Sequence, residues 1–384
     1  MLFEIMLFGS MFFLSCAQDS VFYTIQYDKV LNKNAVVPGS PGKIIELGDA
    51  LYVGSNAVYE YKQITGEASR WQKMPEQPGG KRIMDLAATD DGPDNKYLYA
   101  LVDRGVDLSD ARLYRKKVSD SEVPWEEVAK PGGNIQGLWG AGDALFAVVW
   151  DGNSVLYVMG PGETSFGQVV GVSGMLRAAA KFAGRYYAAI EGTGLLAAET
   201  ADGLGTPAVS YGGDTPTDFV GLVEIGDNLI AVSSSGLIWR IDSNSLVIES
   251  KKFDVSFNGA VAKWKNPDPN PNDDKILYYP YLLLLGRAVS GGSSSAAYEY
   301  GYRELPITFS GEKLFDVDLQ SPGNTGAGAP SSASNNDSYY STLGTHPVTS
   351  LYQAPWDGVL FASSQKNGLW SCRKGNDPKE WNIE

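Results

Sequence analysis

The chain has 384 residues and a net charge of −14, with 44 glycines, 21 tyrosines, 9 tryptophans, two cysteines and a single histidine. The acidity argues against nucleic acid as the main partner and against charge-driven adhesion to anionic headgroups, both of which need a basic surface. A compact body of this length buries roughly three-quarters of its unfolded surface without covalent staples, and many glycines beside many aromatics fit an all-β protein with tight turns.

The first element is apolar: Leu2 to Leu14, interrupted by Glu4, Gly9 and Ser10. It is shorter than the ~20 residues of a membrane span and reads as the apolar region of a signal peptide covering residues 1–15. Phe13, Leu14, Ser15 and Cys16 follow. They resemble a bacterial lipobox, which implies cleavage before Cys16 and diacylation of its thiol. Phe13 stands where Leu is usual, and no Lys or Arg precedes the apolar run. Ala17, where Asp would signal retention in the best-known sorting systems, implies an outer-membrane lipoprotein. The expected location is the cell envelope, facing periplasm or exterior, with the lipid as the only membrane contact. Acylation of Cys16 leaves Cys372 without an intramolecular partner, so no disulfide framework is expected.

Residues 16–42 form an N-terminal segment with one strand-like stretch, Val21 to Val30, a candidate for closing a ring against C-terminal strands. From residue 43 to 384 a unit recurs: an apolar strand, a short polar or Gly-containing loop, and a second strand rich in large apolar residues. The copies are Ala50 to Lys62, Lys96 to Lys117, Asp143 to Met159, Gly184 to Glu199, Asp227 to Asp242, Lys275 to Tyr300 and Asp357 to Arg373. Spacings between anchors Leu51, Leu98, Leu145, Tyr186, Leu229 and Leu277 are 47, 47, 41, 43 and 48 residues, the ~40–50 of a four-stranded propeller blade. The last step, to Leu360, is 83 residues and contains a Gly-, Ser-, Asn- and Pro-rich insertion at 321–345, a composition that cannot bury a core.

Inner-strand candidates precede each copy, starting at Lys43, Arg82, Ile135, Met175, Phe219, Ala260 and Val348. Outer-strand candidates, often with Trp, start at Arg70, Pro124, Phe166, Leu246 and Glu380. In the sixth unit the outer strand is either Leu305–Phe309 or Leu314–Leu319. The pattern predicts an all-β propeller of seven four-stranded blades.

The acidic, Pro-containing stretches Thr89 to Val102 and Lys265 to Tyr279, and the Trp-containing stretches Ser119 to Val128 and Asn376 to Glu384, resemble Asp-box (BNR) repeats of sialidase-like and sortilin-like propellers. The box glycine is missing in both Trp stretches. The resemblance covers parts of three blades and implies shared architecture, not shared activity. A quinoprotein-type repeat, as in envelope assembly lipoproteins, is a fainter likeness.

The catalytic inventory is thin. The one histidine, His346, sits by the insertion and before Pro347, so a Ser–His–acid triad has one base to draw on, in a loop. There is no Gly-x-Ser-x-Gly elbow, no His- or Cys-rich metal spacing and no dinucleotide or Walker loop. A sialidase-like site needs an arginine cluster; Arg82, Arg177 and Arg303 are the candidates for one channel. Asp90, Asp91, Asp94 and Asn95, and Asp268, Asn270, Asn272, Asp273 and Asp274, read as tight turns, with calcium as the alternative. No catalytic residue, metal ligand or cofactor is assigned.

The loops between second and third strands converge on one face of a propeller, and here they hold Asp103, Arg104, Trp150, Asp151, Glu191, Arg287 and Gln365. Trp150 beside Asp151 is the anchor candidate, with burial between blades as its competing role. Trp139, inside an inner strand, reads as core. The loops Asp103–Arg112 and Leu285–Ala297 exceed their equivalents, which marks this face as functional. The expectation is a non-enzymatic envelope scaffold binding an envelope or extracellular protein, or a glycan; the alternative is a sialidase-like hydrolase or lyase working at the channel mouth.

Overall fold

Short strands punctuated by glycine turns and rich in Val, Leu, Ile and aromatics pair locally, each with its chain neighbour. The computed structural model describes residues 35–63, 69–103, 111–118, 123–205, 209–210, 216–253, 256–265, 281–287, 301–307, 343, 347–365, 368–372 and 381–384. The first sheet holds β1 (Ile44–Leu47), β2 (Ala50–Gly54), β3 (Val58–Lys62) and β4 (Arg70–Lys73). The second holds β5 (Arg82–Asp90), β6 (Lys96–Asp103), β7 (Arg112–Lys117) and β8 (Glu126–Val128), and the third β9 (Asn134–Ala141), β10 (Ala144–Trp150), β11 (Ser154–Met159) and β12 (Gly167–Ser173). The fourth holds β13 (Leu176–Phe182), β14 (Arg185–Ile190), β15 (Gly194–Ala198) and β16 (Val209–Ser210), and the fifth β17 (Phe219–Ile225), β18 (Asn228–Ser233), β19 (Leu237–Ile241) and β20 (Val247–Lys252). Then come β21 (Phe257–Lys265), β22 (Tyr281–Arg287) and β23 (Tyr302–Ile307), and last β24 (Val348–Gln353), β25 (Leu360–Ser364), β26 (Gly368–Cys372) and β27 (Asn382–Ile383).

Every sheet is an antiparallel meander in chain order. The first strand of each touches the first strand of the next, and β24 touches β1, so the sheets close radially around a channel: an all-β propeller. The repeat count predicts seven four-stranded blades; the structure has six of them, and the sheet β21–β23 has three strands among the described residues. The difference lies where the sixth unit was ambiguous. Tyr302 pairs opposite Gly286, which buries Tyr302 and Leu305 and makes Tyr302–Ile307 the third strand, so Leu305–Phe309 is not the outer one. Leu314–Leu319, most of the insertion and Val21–Val30 lie outside the described residues.

The second strands β2, β10 (as far as Val149), β18 and β25 are buried residue after residue because both of their faces are covered by neighbouring blades. One apolar cluster fills each seam, for example Phe146, Leu156, Leu176 and Ile190 between the third and fourth sheets. Each such side chain contributes roughly 1.5–3 kcal/mol by its burial. The outer edge of β12 is covered by the 3-10 turn Asp202–Gly205 of the next blade, which shields an open edge from foreign strands.

Each four-stranded sheet is contiguous in sequence, so the ring closes by contact between the first and last blades. Val37 N–H donates to the Glu384 carbonyl (3.0 Å), Gly368 N–H to the Gly39 carbonyl (2.8 Å) and Ile44 N–H to Ser350 Oγ (3.0 Å). Tyr61 of β3 stacks on Trp356 at 5.8 Å and meets Phe361 edge-on at 4.7 Å, while Trp71 meets Phe361 at 5.2 Å. Offset and edge-to-face aromatic contacts of this kind add about 0.5–1.5 kcal/mol each beyond area burial.

Candidate functional site: the loop end of the ring and its channel

The second strands end at Gly54, Asp103, Trp150, Ile190, Ser233, Arg287 and Ser364. These positions are equivalent by register, so Asp103, Trp150 and Arg287 stand at one end of the ring, with Asp151, Glu191 and Gln365 one residue further on. Arg104 lies outside the described residues, as do Cys16 and His346. The set is not one cluster. Glu191 reaches the channel wall; Asp103, Trp150, Asp151 and Gln365 lie outside the lining and form a rim. Trp150 is 51% exposed, which overturns the inter-blade role. Ala144 to Val149 are buried in the seams, whereas Trp150, the last residue of β10 and still paired with Asn134 and Ser154, is exposed.

Six of the seven first strands carry a register shift near their start, opposite the last residues of the second strand. The extra residue is Met84 in β5, Gln136 in β9, Arg177 in β13, Val220 in β17 and Thr349 in β24. A bulge re-aims a side chain and strengthens local twist. Gln136, Arg177, Val220 and Thr349 all line the channel mouth as a result.

The channel has a volume of about 1390 Å³ and is walled by residues of all seven first strands. Lys43 is its most contacted cation: Nζ donates to Asp85 Oδ2 (2.7 Å) and to the Leu138 carbonyl, and sits 4.2 Å above the Trp139 ring. Asp85 Oδ2 also accepts from Leu138 N–H (2.8 Å) and Oδ1 from Leu86 N–H (2.9 Å), so one carboxylate ties three blades together. Trp139 is half-buried: it packs against the apolar cluster between the third and fourth sheets and also lines the channel, and its Nε1 donates to the Arg177 carbonyl (3.2 Å). Gly137 permits that ring position, since a Cβ there would lie 2.6 Å from it.

Arg177 pairs with Glu191, and Lys96 with Asp90 at 3.1 Å. The lining cations Lys43, Lys96 and Arg177 are thus each matched by a lining carboxylate, while Glu46, Asp218 and Glu224 add further acidity. Asp218 is buried enough to favour its neutral form, but hydrogen bonds from Ser235 and Ser234 outweigh this and hold it below the usual carboxylate range. At the opposite end Tyr352 is pushed up by burial first and then by Glu46, to which its hydroxyl donates.

The sialidase-type arginine cluster does not form from the expected members. Arg82 is exposed, pairs with Asp103 at 3.0 Å and lies off the channel wall, and Arg303 belongs to a third strand. Asp90 to Asn95 form a hydrogen-bonded turn, with Asp91 N–H to the Asn95 carbonyl (3.0 Å) and Gly92 N–H to Asp90 Oδ1 (3.1 Å). Residues 268–274 lie outside the described residues. Among the described residues no three His, Cys, Asp or Glu side chains group as metal ligands.

Sequence reasoning missed Lys43, Asp85 and the channel position of Trp139. Lys43 and Asp85 stood inside inner-strand candidates, where a charge in an otherwise apolar strand was the available signal.

The fold and channel define the chain as a β-propeller. No protein-family model matches it, and no curated protein matches it in sequence. Solved structures similar to it include the WD40 β-propeller domain of Doa1, 12% identical, covering 88% of this chain and 95% of that one with a TM-score of 0.52. Another is the β-propeller domain of Myceliophteria thermophila Cps50 (Swd1), 12% identical over 88% of this chain and 99% of that one with a TM-score of 0.50. At this identity the likeness establishes the β-propeller fold alone.

Proposed function

We propose that the protein is a non-enzymatic binding module of the cell envelope that engages a protein partner through the loop end of its ring. The carrying observation is Trp150, a 51% exposed indole at the rim, flanked by Asp151 and standing on a strand whose other residues are locked in seams. A large, rigid apolar anchor beside polar rim groups is the composition of an interface hot spot. The scatter of Arg82, Arg177 and Arg303 supports binding over sialidase-like hydrolysis. The Asp-box likeness bears on architecture alone.

The proposal includes a lipid on Cys16 that tethers the ring to a membrane, the outer membrane by the Ala17 rule, with the propeller in the periplasm or exterior. It also includes glycan as the ligand class to which the rim passes if no protein is captured.

The test is a photo-crosslinking residue at position 150 in protein expressed in its native envelope, with labelled fatty acid to follow Cys16. A reproducible protein adduct, lost when the probe is moved to the buried position 148, supports the reading. No adduct, together with release of reducing sugar from envelope glycans, overturns it.

A further inference from the structure

We infer that the loop-end mouth of the channel, where the third and fourth sheets meet, is a binding site for a neutral saccharide. It is separate from the rim, since Trp150 lies outside the channel lining. The site is a run of side chains from two adjacent blades and the loop beside them. Trp139 Nε1 donates to the Arg177 carbonyl (3.2 Å), and the Trp139 ring lies over Gly137, next to Gln136. Arg177 pairs with Glu191, and Gly192 N–H donates to the Thr217 carbonyl (3.0 Å), which brings Thr217 beside that pair. All of them line the one cavity of about 1390 Å³, more than the roughly 300–1,000 Å³ that suffices for a small ligand. Gln136 and Arg177 are the residues that the bulges of β9 and β13 add, at equivalent places in neighbouring blades. A bulge interrupts the ladder and re-aims a side chain, and bulges concentrate beside functional sites. Here two of them turn an amide and a guanidinium into the same mouth.

The charges at this mouth select the class of ligand. Lys43 is matched by Asp85 and Arg177 by Glu191, while Asp218 accepts from Ser234 Oγ (2.9 Å) and Ser235 N–H (2.8 Å). Glu46 and Glu224 stand near the far ends of their strands. Among the described residues at the mouth no cation is left over for a phosphate or carboxylate, and no carboxylate for an amine. No three metal-ligating side chains group there either. The mouth offers unused hydrogen-bonding capacity instead. Gln136 is exposed, and its amide, both donor and acceptor, has no partner among the described residues. The Arg177 and Glu191 side chains are 46% and 56% exposed, and the one hydrogen bond between them leaves further N–H groups and a second carboxylate oxygen open. Thr217 adds an exposed hydroxyl. Interleaved donors and acceptors without net charge suit hydroxyls, each of which donates and accepts. Adjacent hydroxyls of a sugar ring match the paired atoms of an amide or a guanidinium.

The test is isothermal titration of the full chain with maltotriose, cellotriose and tri-N-acetylchitotriose as neutral probes. Trigalacturonate serves as the anionic probe, spermidine as the cationic one, and an N-acetylated, C-amidated triglycine as the peptide control. At least one neutral trisaccharide should bind with a Kd of about 1 mM, and salt should leave that value unchanged. Gln136→Ala and Arg177→Met, both checked for native circular dichroism, should each weaken it about fivefold to tenfold, as the loss of a hydrogen bond to the ligand does. The Arg177 backbone carbonyl that holds Trp139 is kept in the second variant. Trp150→Ala should leave saccharide affinity unchanged, so the rim and the mouth are read separately. No neutral trisaccharide bound at up to about 20 mM overturns the inference. So does binding indifferent to Gln136→Ala and Arg177→Met. Tighter binding of trigalacturonate or spermidine would make the mouth a charged site, and tighter binding of triglycine a peptide site; either result overturns it too.

Discussion

The Tyr61 hydroxyl donates a 2.6 Å hydrogen bond to Asp357, across 296 residues of sequence and across the junction of the first and last sheets. Asp357 also accepts from Val359 N–H at 3.1 Å, and Tyr61 is 3% exposed within the aromatic cluster of Trp71, Trp356 and Phe361. This contact joins the aromatic cluster, the Tyr352–Glu46 and Ser363–Gly42 hydrogen bonds and the backbone donors of Val37, Gly368 and Ile44 in closing the ring.

Tyr61→Phe keeps the ring and removes the bond to a charged acceptor, and should cost about 1–2 kcal/mol in denaturant unfolding. Tyr61→Ala also empties the aromatic cluster and should cost about 3–5 kcal/mol. A phenylalanine variant as stable as the parent would show that the bond contributes nothing to closure.

Two glycines separate crowding from backbone conformation. A Cβ at Gly140 would lie 1.7 Å from the Ala88 carbonyl of the neighbouring blade, whereas Gly92 has φ +89° with nothing within 4 Å. Gly140→Ala must push two blades apart and should cost about 3 kcal/mol or more. Gly92→Ala strains only its own backbone and should cost about 1–2 kcal/mol. Thermal unfolding of both variants gives the order.

Asp143 links the third and fourth blades by accepting from Lys181 Nζ (2.7 Å) and from the Tyr186 hydroxyl. Burial favours its neutral form, but the hydrogen bonds from Lys181, Tyr186 and its own backbone outweigh that and lower its pKa from 3.8. A depressed folded pKa means stability that is present above 3.8 and lost as pH falls through the lower folded value. Urea unfolding of Asp143→Asn should therefore depend less on pH than the parent in the acid range below 3.8, and the two should differ most above it.

Trp150→Ala should leave stability within about 0.5 kcal/mol, because the indole is exposed. It should weaken partner binding roughly 30-fold, the loss of a ~2 kcal/mol hot spot. Equal losses of stability and binding would place Trp150 among the structural residues.

The sequence carried the repeat legibly. Its inner-strand starts at Arg82, Phe219 and Val348 coincide with or lie within strands that wall the channel. The period-two alternation and turn residues are local, and local pairing is all a meander needs. The rim position of Trp150 was legible too, from its place at a strand end. Its exposure was not, nor was the channel place of Trp139, because a strand residue's surroundings depend on the blade beside it.

Alternating apolar strands and glycine turns determined by themselves that this chain is an all-β propeller, since each sheet is made of consecutive segments. Tertiary structure alone decided that Tyr302–Ile307 is the third strand of its sheet, which side chains the bulges turn into the channel, and that Lys43, Asp85 and Trp139 meet there. Those three come from three consecutive blades, and only the packing of those blades side by side brings them within reach of one another.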